Sequence, residues 1–411
     1  MIILMQIQEK THRILQQPVC DSCLGRQFAQ LLSGMTNRER GRLLRTLIAM
    51  SVDKEHYEGD LDLSNFHSFK FHKLEPKTKL EKKKCAVCED TFENLDRLAG
   101  KVAKAGKKYE FSTFLVGTKL SFELISREEN LWERVGIDYC EPLKAELNRE
   151  LGKLVEKKAK ARYHSRPDIN FLVNIPEGSV DIQINPIFVY GEYQKLVRGI
   201  PQTRWPSKKY KTSVEEIMAV PFMKATLGAS HKLHGLGRED IDARCLGWRP
   251  FVLEILNPKK RKLNLKSLAK KVGKGIRIRN LRLSNIEEVR RIKEERADKT
   301  YRAVVVCEGV SRKGLQKLHA LAGEIKQKTP ERVLHRRADK FRHRKLKSLK
   351  TKYINSRKFQ LEVRCEAGLY VKELVSGDNG RTAPSVSSIL QQPCICKELD
   401  VIAIHNSKAK K

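Results

Sequence analysis

Gly237-Arg238-Glu239-Asp240-Ile241-Asp242-Ala243-Arg244 is the densest cluster of unusual residues in the chain. Taken alone, a Gly-Arg-Glu-Asp run reads as a surface turn. Its setting asks for more. The chain has 411 residues, Lys plus Arg is 83, Asp plus Glu is 49, and the formal net charge is +34. Positive charge in such excess costs self-repulsion and is retained where something polyanionic binds. Nucleic acid is the first candidate. An anionic membrane surface would call for an amphipathic basic helix with a bulky aromatic face, and the sequence holds none. Three carboxylates, Glu239, Asp240 and Asp242, then stand inside a domain built to bind phosphate.

Around this run the apolar period is two. Residues 170–175 and 180–190 read as strands, as do 251–256, 276–283, 302–306, 359–366 and 399–404. Helical patterns lie between them at 284–297 and 311–327. The fold class is therefore α+β, with a large, mostly antiparallel sheet. Upstream the pattern differs. Leu143, Leu147, Leu151 and Leu154 fall on one helix face. Pro142 precedes them as a favoured first-turn residue, and Lys157, Lys158, Lys160 and Arg162 suit a helix C-terminus. Ser165-Arg166-Pro167-Asp168 is a turn-like break. The boundary is expected here, giving an accessory domain at 1–162 and a second at 163–411.

Two segments are densely basic. Residues 259–282 carry no acid, and residues 332–352 carry one, Asp339. One such run is as readily a solvated face; two in one domain point to a phosphate-binding groove. No stretch approaches the roughly 18 apolar residues that cross a bilayer. Met1–Leu4 is apolar, but Gln6, Glu9 and Lys10 follow at once, which is no secretory core. A cytoplasmic location is expected, so the ten cysteines read as metal ligands or buried thiols rather than disulfides. Cys20-Asp-Ser-Cys23 and Cys85-Ala-Val-Cys88 are two thiolate pairs whose spacing lets both sulfurs meet one ion. Together they complete the closed tetrahedral shell of a structural zinc, with the chain between them a folded excursion. His231 and His234 are also metal-spaced but lack an obvious third ligand.

Gly-Arg-x-Asp-x-Asp resembles the catalytic-aspartate motif of pseudouridine synthases. Two further motifs follow in the right order. Lys299-Thr300-Tyr301-Arg302-Ala303 looks like the strand that carries the base-stacking tyrosine. Cys365-Glu366-Ala367-Gly368-Leu369-Tyr370-Val371-Lys372 looks like the strand that supplies a second pocket tyrosine and a cation, here lysine instead of arginine. Four more stretches sharpen the resemblance: Leu24-Gly25-Arg26-Gln27-Phe28, Gly199-Ile200-Pro201-Gln202-Thr203-x-Trp205, Arg336-Arg337-Ala338-Asp339-Lys340 and Gly377-Asp378-x-Gly380-Arg381-Thr382. They are similar to the archaeal-type tRNA pseudouridine synthases that modify uridines 54 and 55 of the T-arm. The resemblance spans nearly the whole chain. It implies a zinc-bearing, THUMP-like RNA-binding domain followed by a pseudouridine synthase domain.

The resemblance also implies the chemistry. Turning uridine into pseudouridine breaks the glycosidic bond, rotates the uracil and rejoins it through C5, with no cofactor. One carboxylate acts on the sugar or the base. The alignment makes it Asp240; Asp242 is the rival and is expected to hold the loop by turn hydrogen bonds. The target base must be flipped out of the stack, with Tyr301 as the replacement face and Tyr370 as the opposite wall. An ionised Asp in an apolar pocket needs a cation, which Lys372 or Arg238 can supply. Arg336, Arg337 and Arg342 are expected on the tRNA backbone. Each tyrosine also reads as a plain core aromatic. The partner is tRNA, with no membrane, and the chain acts as a monomer. The alternative function is a non-catalytic, zinc-dependent protein that binds or folds tRNA. A methyltransferase would require a Gly-rich cofactor loop after a strand, which is missing.

Overall fold

The structure is a computed structural model that describes residues 2–54, 59–73, 80–207 and 209–405. Among them no helix is long and apolar enough to cross a membrane. The chain divides into two compact units, Met1–Asn185 and Pro186–Lys411.

In the first unit the helix Leu143–Ala159 forms as its spacing predicts, burying Leu143, Leu147, Leu151 and Val155. It packs on a four-stranded sheet of β1 (Thr113–Leu120), β2 (Arg162–Tyr163), β3 (Ile169–Ile175) and β4 (Val180–Ile184), in the order β2-β1-β3-β4. β1 runs parallel to both β2 and β3, while β4 is antiparallel to β3. Phe114 and Val116 of β1 and Ile169, Phe171, Val173 and Ile175 of β3 point into one core with that helix. The division thus falls later than the break expected near Arg162, because β3 completes the hydrophobic face that β1 begins. It lies between Asn185 and Pro186, inside what reads in sequence as one strand, 180–190. Pro186 has no N–H to give a ladder, so β4 ends at Ile184 and the next strand starts at Ile187 in another sheet.

The second unit is built on ten strands: β5 (Ile187–Lys195), β6 (Ser230–Gly235), β7 (Arg244–Leu256), β8 (Ile276–Ser284), β9 (Asp298–Cys307), β10 (Gly323–Lys328), β11 (Phe341–Asn355), β12 (Lys358–Cys365), β13 (Thr382–Ala383) and β14 (Cys394–His405). Their order is β13-β10-β11-β12-β9-β14-β7-β5-β8, with β6 on β7. The sheet is mixed, not the mostly antiparallel one expected. Two antiparallel halves join through a parallel pair, β7 beside β14, with Arg244 opposite Asp400 and Cys245 opposite Val401. A parallel pair needs both strands covered, and Cys245, Asp400 and Val401 at this junction are all buried. The helix Val214–Thr226 contributes Val214, Met218 and Phe222 to the core shared with β5 and β7.

Two further readings change. Residues 311–327 are not one helix: Arg312–Gln316 is helical, Lys317–Leu321 is a 3-10 turn, and β10 begins at Gly323. Leu315, Leu318 and Leu321 keep the helical spacing, but Ile325 and Gln327 then alternate into the core. The basic run 332–352 is mostly β11, a strand hidden in sequence because its cations leave little apolar alternation. Pairing with β12 on one side and β10 on the other defines it.

Candidate functional site

The acidic run sits between β6 and β7. The chain turns at Gly237 with a φ of +72°, and a Cβ there would press within 3.3 Å of the Arg249 guanidinium, so glycine is required. Successive side chains then part. Glu239 goes inward, where Arg249 Nη2 lies 3.0 Å from its Oε2 with both side chains fully buried. This is an electrostatic contact more than an aligned hydrogen bond, since that nitrogen makes none. The Tyr193 hydroxyl donates its one proton to the Glu239 carboxylate, with Oε1 and Oε2 at 3.2 and 3.1 Å. Gln202 Nε2 donates to the Tyr193 hydroxyl at 2.8 Å and to the Gly237 carbonyl at 3.0 Å. The Lys195 ammonium donates to the carbonyls of Asp240 and Ile241 at 3.2 and 3.0 Å. Arg198 donates to the Asp242 carbonyl at 2.8 Å. The loop backbone is pinned from beneath at four residues.

Asp240 points the other way and is 36% exposed. Arg332 Nη2 lies 3.2 Å from its Oδ2, and Lys372 Nζ lies 3.5 Å from the same oxygen. Lys372 is nearer to Asp242, donating to its two oxygens at 2.8 and 2.7 Å. Partial burial opposes ionisation of Asp242, but Lys372 outweighs it and holds the carboxyl below its usual range. The Asp242 side chain is therefore chiefly an ion-pair partner of Lys372, with a smaller local hydrogen bond from its own backbone N–H. Arg238 is exposed and has no hydrogen bond or ion pair among the described residues. The second cation beside Asp240 is Arg332, which sequence reasoning placed only within a basic run.

Tyr301 stands on β9 between Val363 and Val401 in register, half-buried against the core of the β9–β12 side. Burial, with smaller contributions from Cys365 and the Asp240 carboxylate among others, pushes its phenol well up. Tyr370 and Lys372 are not on a strand as the motif implied. β12 ends at Cys365, and Tyr370 caps the helix Val371–Ser376. The Gln327 amide ties down both the N–H and the carbonyl of Tyr370, at 2.8 and 3.0 Å. The Tyr370 hydroxyl accepts from Arg337 Nη1 at 2.8 Å. Arg342 donates to the Thr329 hydroxyl at 2.8 Å. Arg336 ends the 3-10 turn Glu331–Arg336, and its side chain lies outside those described. His231 and His234 are strand residues paired with Glu215 and Glu254, at 3.1 and 2.8 Å, rather than metal ligands.

In the first unit, Cys20, Cys23, Cys85 and Cys88 meet, with all four sulfurs within 4.8 Å of one another. Cys20 and Cys88 Sγ are 3.6 Å apart. Four thiolates at about 2.3 Å around a tetrahedral zinc would sit roughly 3.8 Å from each other, so the cluster can hold such an ion. The surroundings suit a thiolate shell. The N–H groups of Cys20 and Cys23 donate to Cys85 and Cys20 sulfurs at 3.3 and 3.4 Å. The fully buried Arg26 guanidinium donates to Cys23 Sγ at 2.9 Å, offsetting the negative charge that four thiolates would bring.

A family model described as "Pus10, C-terminal" matches residues 188–405, and one described as "Pus10 THUMP domain, archaeal" matches residues 98–174. The tRNA pseudouridine synthase Pus10 of Methanocaldococcus jannaschii is 40% identical over 430 residues, covering 95% of this chain and 92% of that protein. That of Pyrococcus furiosus is 39% identical over 406 residues, covering 97% and 98%. The chain belongs to the Pus10 family of tRNA pseudouridine synthases.

The family's two matches lie on either side of the division at Asn185–Pro186. The C-terminal match contains Asp240, Tyr301, Arg332, Tyr370 and Lys372 together. The THUMP match begins after the four cysteines. Beyond Arg332, sequence reasoning missed Glu239 as a buried anchor, along with Arg249 and Lys195 beneath it. The acid next to Asp240 was visible, but nothing in a single sequence says which of two adjacent acids turns inward.

Proposed function

We propose that this chain isomerises uridine to pseudouridine in the T-arm loop of tRNA, at positions 54 and 55, and that Asp240 is the carboxylate that acts on the target nucleotide. The observation that carries the assignment is the contrast inside one loop. Glu239 is spent on a buried ion pair and Asp242 on two short hydrogen bonds from Lys372, while Asp240 is partly exposed and held more loosely, with Arg332 at 3.2 Å and Lys372 at 3.5 Å. Tyr301 offers the ring on which a flipped uracil stacks, and Tyr370 lines the opposite wall. Lys372 supplies charge to the acidic pair. The basic segments, with Arg336, Arg337 and Arg342, run along the tRNA backbone, where each phosphate contact releases counterions. Arg337 and Arg342 also brace their own loop, so their loss would combine both effects.

In this reading Pro186–Lys411 is the catalytic domain and Met1–Asn185 the THUMP-like accessory domain that adds RNA contacts. Cys20, Cys23, Cys85 and Cys88 hold a structural zinc, which supplies folding energy to the first unit and takes no part in the isomerisation. The chain works as a cytoplasmic monomer without a catalytic cofactor. The deciding experiment incubates the full chain with an unmodified tRNA transcript and maps pseudouridine at single-nucleotide resolution. Conversion at 54 and 55 is expected; conversion elsewhere, or none, refutes the assignment. The metal has its own test. Elemental analysis should find one zinc per chain, and Cys85→Ser should lose it and lower the melting temperature. A zinc-free chain of unchanged stability would sink the metal assignment.

A further inference from the structure

Residues 332–352 read in sequence as a phosphate-binding run, but the first of them is engaged elsewhere. Arg332 donates through Nε to Glu373 Oε1 at 2.6 Å, and its Nη2 reaches Glu373 Oε2 at 3.5 Å and Asp240 Oδ2 at 3.2 Å. Glu373 is 4% exposed. It follows Lys372 on the helix Val371–Ser376, and Lys372 Nζ approaches that same Asp240 oxygen at 3.5 Å. Two neighbours on one short helix therefore act on Asp240, one directly and one through Arg332. The two carboxylate oxygens are left unequal. Both cations come nearest to Oδ2, while Oδ1 accepts no hydrogen bond among the described residues.

We infer that Arg332, clamped by the buried Glu373 carboxylate, is a positioning residue that fixes Asp240 by Oδ2 and leaves Oδ1 as the reacting oxygen. The inference rests on Asp240 being the carboxylate that reacts. Its physical ground is the fork. A guanidinium offers several N–H groups in one rigid plane, so one edge grips Glu373 while another reaches Asp240; an ammonium has no such plane. Nor is Arg332 free to swing toward a passing phosphate. Doing so would strand Glu373 as an unpaired buried charge, which is strongly destabilising. The guanidinium also lies 6.0 Å from the centroid of the Tyr370 ring, which ties the clamp to the proposed pocket wall.

The test is single-turnover conversion of an unmodified tRNA transcript by the full chain at saturating enzyme, with tRNA affinity and its salt dependence measured alongside. Arg332→Gln should slow conversion about 100-fold, the scale of a misplaced reacting group. Its Kd and the slope of log affinity against log salt should match wild type. Arg332→Lys should recover part of the rate, keeping the charge without the fork. Glu373→Gln should slow conversion in the same direction at unchanged Kd. The inference is overturned if Arg332→Gln converts bound tRNA at the wild-type rate yet binds more weakly, with a salt slope shallower by about 0.7–0.9, as a lost phosphate contact would give. Should Arg332→Gln not fold, Arg332→Lys decides: slower conversion at unchanged Kd supports the clamp, and a wild-type rate removes it. Asp240→Asn separates the two levels. An active Asp240→Asn strikes the functional reading beneath; an inactive one beside a fully active Arg332→Gln strikes this inference alone.

Discussion

Glu239 and Asp240 are neighbours in the chain and opposites in environment. On the inner side of the loop, one fully buried carboxylate faces Arg249 and the Tyr193 hydroxyl, with Lys195 and Lys299 close beneath the same turn. On the outer side, two partly exposed carboxylates, Asp240 and Asp242, face Arg332 and Lys372. The outer side sets two carboxylates against two cations and the inner side one against three, but the larger difference is access to solvent. In the dry interior an ion pair is held rigidly because either partner alone would be an uncompensated buried charge. At the wet rim the same kinds of group stay accessible to a substrate. A reacting carboxylate needs both: a backbone that does not move, and a side chain that is not used up in holding it.

Removing each acid in turn is the sharpest way to break this contrast. Asp240→Asn should reduce pseudouridine formation to background while tRNA affinity and melting temperature stay close to wild type. Loss of activity in Asp242→Asn with retention in Asp240→Asn would transfer the role by two residues. Glu239→Ala should do the reverse, lowering unfolding stability by about 3–5 kcal/mol, the scale of a broken buried pair, as read from urea titration. A stable but inactive Glu239→Ala would make Glu239 part of the chemistry and erase the distinction between the two sides.

The inner side also has a signature in pH. Lys299 is 7% exposed and donates to the Ala297 carbonyl at 3.1 Å. Burial, aided by the neighbouring Arg249 charge, pushes its ammonium down to about 8 from the usual 10.5. The charged form is thus disfavoured in the folded state. The cost is present in full below about pH 8 and is relieved as pH rises toward 10.5, because the unfolded chain then holds the proton that the folded chain has lost. Wild-type stability should rise across that window by up to on the order of 3 kcal/mol from this group. Lys299→Met should show a flatter profile between pH 8 and 10, and equal slopes in the two proteins would mean that Lys299 stays charged.

Tyr301 gives the smallest effect and tests the outer side. Tyr301→Ala should weaken capture of the flipped base by about 1–3 kcal/mol, the range for one stacked base, and lose turnover with it. Tyr301→Phe keeps the ring and should keep most of the stacking. A complex in which the target base lies away from both Tyr301 and Tyr370 would leave Asp240 without a pocket.

Much of the molecule was legible in the residues themselves. The helix Leu143–Ala159 and strands such as β9 and β12 follow from apolar period alone, because burial on one face writes that period into the sequence. The cysteine cluster was legible for a different reason: two Cys-x-x-Cys pairs have few other uses, so chemistry substituted for pattern. The order of the motifs singled out Asp240, Tyr301 and Lys372 as candidates, and the fold brings Lys372 within 3.5 Å of Asp240. β11 was hidden, since its faces are basic on both sides and only its partners β10 and β12 make it a strand.

What the sequence determined by itself is the set of local choices: which segments alternate, where cations gather, which thiols pair and which acids cluster. Whatever depends on a partner distant in the chain was decided by the tertiary structure. The division at Asn185–Pro186 is set by β3 completing the face of β1. The parallel meeting of β7 and β14 joins Arg244 to Asp400, far apart in the chain of the second unit. Glu239 turns inward because Arg249 waits there, and Asp240 stays at the surface because Arg332 and Lys372 converge on it from two other elements. Electrostatic energies depend on separation in space and on access to water, and a sequence position specifies neither.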